Sequence, residues 1–271
     1  MSPDEVDSVT LKRAVHDYWN TSTCNSERAG APRFSREYFE EIERSRYRLE
    51  PQIFSFAQFT RAHGKKVLEV GVGAGTDFLQ WVRAGARAYG VDLTEEAVEH
   101  TRQRLRVYGL HCEDVRIADA EALPYPSDSF DVVYSWGVIH HTPNTPRALS
   151  EIVRVCRSGG NIRLMVYNRH SLVAWRTWVR FALLRGHPER SIAWVLAHHV
   201  ESAGTKAYTA GEARRMLARL PLLDVRVQPM LTSYDVLGDI GGLPEVCART
   251  VANLLGGDRV GWFLGLQATK R

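Results

Sequence analysis

The stretch Lys66–Asp77, KVLEVGVGAGTD, constrains the fold more than any other part of this chain. A short apolar run (Val67, Leu68, Val70) ends at Gly71, Gly73 and Gly75, and an amphipathic stretch with Phe78, Leu79, Trp81 and Val82 follows. That pattern predicts a buried parallel strand, a glycine turn and the first turns of a helix. Without a Cβ, such a turn lets the backbone pass close to a nucleotide-like ligand. A dinucleotide fingerprint needs G-x-G-x-x-G, whose third glycine permits close helix–strand packing. Here Thr76 follows Gly75, the spacing is G-x-G-x-G, and that pattern fails. Glu69, two places before the first glycine, would repel a pyrophosphate and suits a cation.

A second strand over 86–91 ends in Asp92, about 20 residues beyond the turn, where a carboxylate is placed to take both hydroxyls of a ribose. Dinucleotide sites and S-adenosylmethionine sites both use such a residue, so Asp92 does not separate them. Further along stand Asp119-Ala120-Glu121-Ala122-Leu123-Pro124 and then Ser129–Ser135, SFDVVYS. With EVGVGAGTD, GVDLTEEAV, DAEALPYPSDSFDVVYSWGVIHH and RVCRSGGNIRLMVY in this order from about Val67 to Tyr167, the chain resembles class I S-adenosylmethionine-dependent methyltransferases. The likeness is to the broad small-molecule group that includes the ubiquinone/menaquinone-type enzymes. It departs at Ser158, where many relatives have proline.

The resemblance implies an α/β fold: a Rossmann-like, seven-stranded, doubly wound sheet with the last strand antiparallel. It also implies the cofactor S-adenosylmethionine, released as S-adenosylhomocysteine. Gly71 and Gly73 would pass close to the methionyl part, Glu69 would reach its ammonium, and Asp92 would bind the ribose. Leu93 would cover one adenine face, and Asp119 would accept from the adenine amino group, with Ala120 and Glu121 alongside. Ser135 and Trp136 would open onto the methyl.

The remaining strands are expected near 66–70, 115–118, 130–135 and 161–167, with two more over 223–231 and 261–268. Helices are expected over 77–84, 95–108 and 145–155, with Thr94 as an N-cap and Ser158-Gly159-Gly160 closing the third. Four parts follow: an N-terminal helical cap (1–63), the cofactor-binding core (64–170), a helical lid or insertion (171–210), and a segment completing the sheet with a helical insertion (211–271). In the cap, Tyr18, Trp19, Arg46 and Tyr47 are expected to face the site. The segment 171–202 is rich in tryptophan and arginine and splits at Gly186-His187-Pro188 into two helices. Its basic amphipathic face has three readings: a lid, a dimer contact or a membrane-surface contact. Helix is also expected over 234–255, and Thr209 with Glu212 has the spacing of a capping box.

Methyl transfer from a sulfonium needs alignment more than a catalytic group, and alignment alone supplies roughly 7–11 kcal/mol. His140 and His141, at the end of the fourth strand, are nonetheless candidates for a general base, as is Tyr18. Trp19, Tyr47, Tyr167 and His199 are candidates for acceptor binding. No metal is expected, since His140, His141, His198 and His199 would converge only if the tail helices folded over the cleft.

The net charge of +4 over 271 residues carries no basic block, so no nucleic-acid partner is expected. Cys24, Cys112, Cys156 and Cys247 form no C-x-x-C and fit a reducing compartment. The polar start of the chain and the lack of an apolar run of ~20 residues point to a cytoplasmic protein without a transmembrane segment. The expected function is methyl transfer to O, N or C of a small molecule, such as a secondary metabolite. The alternatives are a lipid or quinone acceptor, and a non-catalytic scaffold or regulator that binds the cofactor.

Overall fold

A computed structural model describes residues 3–21, 26–238 and 242–271. The chain begins with three helices, α1 (Pro3–Thr21), α2 (Arg36–Leu49) and α3 (Gln52–Ala57). Ser35 caps α2 by accepting from the Tyr38 N–H, and Pro51 separates α2 from α3. Strands and helices then alternate: β1 (Lys66–Val70), α4 (Thr76–Arg83), β2 (Arg87–Asp92), α5 (Glu95–Tyr108) and β3 (Asp114–Ile117). β4 (Phe130–Trp136), α6 (Thr145–Val155) and β5 (Cys156–Asn168) follow. After β5 come α7 (Leu172–Phe181), α8 (Ile192–His199), β6 (Ala207–Tyr208), α9 (Ala210–Leu217), β7 (Leu222–Met230), α10 (Gly242–Leu254) and β8 (Phe263–Lys270).

The sheet runs β3-β2-β1-β4-β5-β8-β7, with the two-residue β6 beside the end of β5. The pairs among β1 to β6 are parallel, while β8 runs antiparallel to both β5 and β7. The seven expected strands are therefore present, and β6 is an eighth. Strand order reverses between β1 and β4, so a crevice opens at their carboxyl ends, where doubly wound sheets bind ligands. β1 is buried on both faces because successive side chains alternate. Val67 enters the core shared with Phe78 and Trp81, whereas Leu68 and Val70 enter the core shared with Leu149 and Ile152.

Two expectations are corrected. Ser158-Gly159-Gly160 does not end α6: the helix stops at Val155, and Cys156 is already extended and starts β5. Phe130 pairs with Cys156 but Val132 pairs with Asn161, so the extra residues bulge outward, with Gly159 at φ +70°. The helix expected over 234–255 begins only at Gly242. Before it, the Asp235 carboxylate accepts from Thr232 N, Thr232 Oγ1 and Trp262 N, which holds 232–235 in a turn. Cys24 lies outside the described residues, and Cys112, Cys156 and Cys247 are free thiols. Among the described residues no helix is long and apolar enough to cross a membrane.

Candidate cofactor and acceptor cleft

The cleft starts from the turn after β1. Gly71 N and Val72 N both donate to Val91 O, which ties the turn to the end of β2. Gly71 has φ +84°, and a Cβ there would lie 2.2 Å from Val138 Cγ2, so glycine is required on both counts. Gly73 N donates to Asp92 Oδ2 at 3.0 Å, and Asp92 Oδ1 accepts from Thr94 N and Thr94 Oγ1. Thr94 also caps α5, so one short loop orients both the carboxylate and the helix.

The resulting cleft holds about 1050 Å³ of empty space, open mouth included. Of the residues singled out in the sequence, its wall carries Glu69, Gly71, Gly73, Asp92, Leu93, Asp119, Ala120, Trp136, Trp19, Arg46 and His141. Its base is acidic. Glu69 is buried and its Oε2 has no hydrogen-bond partner among the described residues. Burial, reinforced by the neighbouring Asp77 carboxylate, pushes the Glu69 pKa well above the ordinary range. Burial also raises Asp92, against the hydrogen bonds from Gly73 and Thr94. Asp77 is better compensated: Arg46 donates to both its oxygens at 3.3 and 2.9 Å, and the Tyr47 and Tyr134 hydroxyls donate to it as well. A carboxylate such as that of Glu69, beneath a glycine turn, has the chemistry to accept from a cationic group, and Asp92, on the same wall, has the chemistry to accept from hydroxyls.

α1 lies across the mouth. Lys12, Val15 and Trp19 line the cleft, and Lys12 Nζ bridges Asp119 Oδ2 at 2.6 Å and Glu121 Oε2 at 2.8 Å. Glu121 is thus off the wall, turned to Lys12 and to Asn144 N. Ser135 is also off the wall; it is fully buried, and its hydroxyl donates to Val70 O. Trp136 sits on the wall because its Nε1 donates to the buried Glu50 carboxylate at 2.7 Å.

Several expected acceptor and catalytic residues lie elsewhere. Tyr18 is half-exposed, edge-on to Trp19, and does not line the cleft. Tyr47 is spent on Asp77 and Thr76 O. Tyr167 lies in an aromatic stack with Trp262 and Phe263 and donates to Glu201. His199 stacks on Phe181 at 4.4 Å, away from the cleft. His140 is fully buried behind the wall, and burial, with His141 and Lys206 nearby, holds its pKa well below 6.5, so the ring is neutral. His141 alone of the pair reaches the cleft; its Nδ1 is 2.9 Å from Ser202 Oγ and 3.1 Å from Thr205 Oγ1, and its Nε2 is 3.2 Å from Glu201 Oε2.

Two residues escaped the sequence reading. Lys12 is one of only five lysines in the chain, a scarcity that could have marked it. Glu201 sits in the aperiodic run Glu201–Thr205, and nothing local ties it to a histidine sixty residues earlier.

Residues 68–164 match the family described as a methyltransferase domain. The phosphatidylethanolamine N-methyltransferase of Cereibacter sphaeroides is 34% identical over 107 residues, covering 39% of this chain and 52% of that protein. The chain spans about half or less of the length of the curated relatives it matches. Among solved structures, geranyl diphosphate C-methyltransferase from Streptomyces coelicolor A3(2) superposes with a TM-score of 0.64 at 16% identity, covering 96% of this chain and 98% of that one. The [4+2]-cyclase SpnF superposes with a TM-score of 0.54 at 16% identity, covering 99% and 96%. Residues 68–164 thus carry the likeness to a methyltransferase domain, and the strand order is set in the fold that these solved structures share.

Proposed function

We propose that the protein transfers a methyl group from S-adenosylmethionine to O, N or C of a small, flat or apolar acceptor. The observation that carries this reading is the buried Glu69 carboxylate, whose Oε2 has no hydrogen-bond partner among the described residues, on the same cleft wall as Gly71, Gly73 and Asp92. When bound, S-adenosylmethionine supplies a methyl already activated for in-line displacement. The chain's own residues then bind and align. Glu69 neutralises the ammonium, Asp92 accepts from the ribose hydroxyls, and Leu93 and Ala120 flank the base. Asp119 accepts from the adenine amino group. Closure by α1 excludes water, with Val15 and Trp19 facing inward. Trp19, Trp136, Val138 and Pro143 make the acceptor end apolar.

The relative named as a phosphatidylethanolamine N-methyltransferase favours an acceptor with lipid character within this class. A second reading, that the chain binds the cofactor without transferring its methyl, draws on the [4+2]-cyclase with the same fold. Calorimetric titration with S-adenosylhomocysteine tests the first step. Asp92→Asn should weaken binding roughly ten- to a hundredfold, the worth of a charge-assisted hydrogen bond; unchanged affinity would overturn the assignment. Incubation with labelled donor and a panel of phenols, quinones, amines and lipid headgroups tests the second. Binding without turnover across the panel would favour the scaffold.

A further inference from the structure

His140, His141 and Glu201 each offer a ligand atom, and these three atoms lie within 4.8 Å of one another. We propose that they form a binding site for one divalent transition-metal ion of the Zn2+ type, behind the cleft wall at His141, the one of the three that lines it.

The hydrogen bonds around His141 point to this. Thr205 Oγ1 gives its proton to Ser202 O at 2.6 Å, so toward His141 Nδ1 it acts as acceptor. Where Nδ1 donates to Thr205 Oγ1, Nε2 is left as an acceptor. Nε2 lies 3.2 Å from Glu201 Oε2 and makes no hydrogen bond with the described residues. In that arrangement two acceptors face each other, and a cation between them relieves the repulsion. His140 adds a second anomaly: the ring is fully buried, and neither nitrogen has a partner among the described residues. An unmet buried polar group costs about 1–3 kcal/mol, and one cation would engage one nitrogen of His140, His141 and the Glu201 carboxylate together.

The surroundings match those of a metal ligand set. Two imidazoles and a carboxylate are a common protein set for zinc and leave a position open for water or an acceptor oxygen. Tyr167 donates its hydroxyl to Glu201 at 2.9 Å, and Ser202 and Thr205 orient His141; these are the outer contacts that fix ligand direction. Ligands about 2.0–2.1 Å from a tetrahedral ion sit about 3.3 Å apart, so the set must draw in by up to about 1.5 Å. Glu201 is the member able to move, being part-exposed and on a loop, with its backbone at φ +53°. It is also the sole anionic member of the three, so binding depends on it.

The test uses the full chain stripped of metal with a chelator. Co2+ is added while visible d–d absorption is followed, and Zn2+ is titrated calorimetrically. The expected result is one equivalent of Co2+ with an intensified, low-symmetry spectrum that Zn2+ displaces. Glu201→Gln, at a part-exposed site, should weaken binding at least tenfold, and Tyr167→Phe should weaken it about ten- to a hundredfold. His140→Asn should abolish the spectrum; should that variant misfold, Glu201→Gln still decides. A spectrum no different from aqueous Co2+, or equal affinity in wild type and Glu201→Gln, would overturn the site. S-adenosylhomocysteine affinity, measured on the same samples, should be unchanged in Glu201→Gln, so failure of the metal site and failure of the donor site read out separately.

Discussion

Lys12 Nζ lies 2.6 Å from Asp119 Oδ2, so a single ammonium on α1 closes the cap onto the loop beyond β3, and its second partner Glu121 is 2.8 Å away. In the proposed function Asp119 also accepts from the adenine amino group; on that reading the latch and the ligand share an acceptor, and cap closure is coupled to occupancy of the cleft.

Lys12→Met should loosen α1. Part-exposed ion pairs contribute up to about 1 kcal/mol each, and Lys12 makes two, so amide exchange across residues 8–21 should rise by up to about thirtyfold. Mass-spectrometric hydrogen exchange measures this, and equal protection in both proteins would show that the apolar contacts of Val15 and Trp19 hold the helix alone.

The same contact has a pH signature. Burial acts to lower the Lys12 pKa, but the hydrogen bonds and charges of Asp119 and Glu121 outweigh it and hold the pKa above 10.5. A raised lysine stabilises fully below its unfolded pKa and loses that contribution as pH rises through the folded value. Trp19 fluorescence followed upward from pH about 9 should show a step above about 10.5 that is missing in Lys12→Met.

Gly71→Ala places a methyl 2.2 Å from Val138 Cγ2 and forces a side chain to φ +84°. Each strain costs about 1–3 kcal/mol. We expect a matching loss in denaturant midpoint together with weaker S-adenosylhomocysteine binding. Adding Val138→Ala should restore the steric share and leave the backbone share. Full restoration would mean that φ carries no cost here.

Arg46→Met strips Asp77 of its cation at a carboxylate only 2% exposed. Removing one partner of a buried pair costs about 3–5 kcal/mol, and the Tyr47 and Tyr134 hydroxyls would soften that. Urea unfolding reads the change; a loss below about 1 kcal/mol would show that the tyrosines suffice.

Thr209→Ala tests a part of the chain remote from the cleft. Thr209 accepts from Glu212 N while the Glu212 carboxylate accepts from Thr209 N, a closed capping box at the start of α9. Loss should cost about 1 kcal/mol and lower Tm by about 2–4 °C, with cofactor affinity unchanged. Burial acts to raise the Glu212 pKa, but the bonds from Thr209 and Arg169 outweigh it and leave it lowered. Its stabilisation is therefore present above about pH 4.5 and fades as pH falls through the lowered value, a dependence that Glu212→Gln should remove.

The cleft wall around the turn after β1 was legible in the chain because it is built from short range. Glu69, Gly71 and Gly73 are adjacent residues of one strand–turn unit, and Asp92 meets Gly73 N only nineteen positions later. Backbone conformation and apolar alternation are local properties, so the glycine spacing and the buried strands already specify this geometry. Sheet order followed too, since parallel crossovers admit few arrangements. The rest had no such code. The Lys12–Asp119 latch joins residues 107 apart, and Glu201 reaches His141 only because the segment after α8 packs over the end of β4. Side-chain encounters of that span depend on how helices outside the sheet settle on it, through burial that has no period along the chain. Hence Tyr18 and His199, plausible by position, lie off the wall, while Glu201, featureless in sequence, meets His141, a residue of the wall.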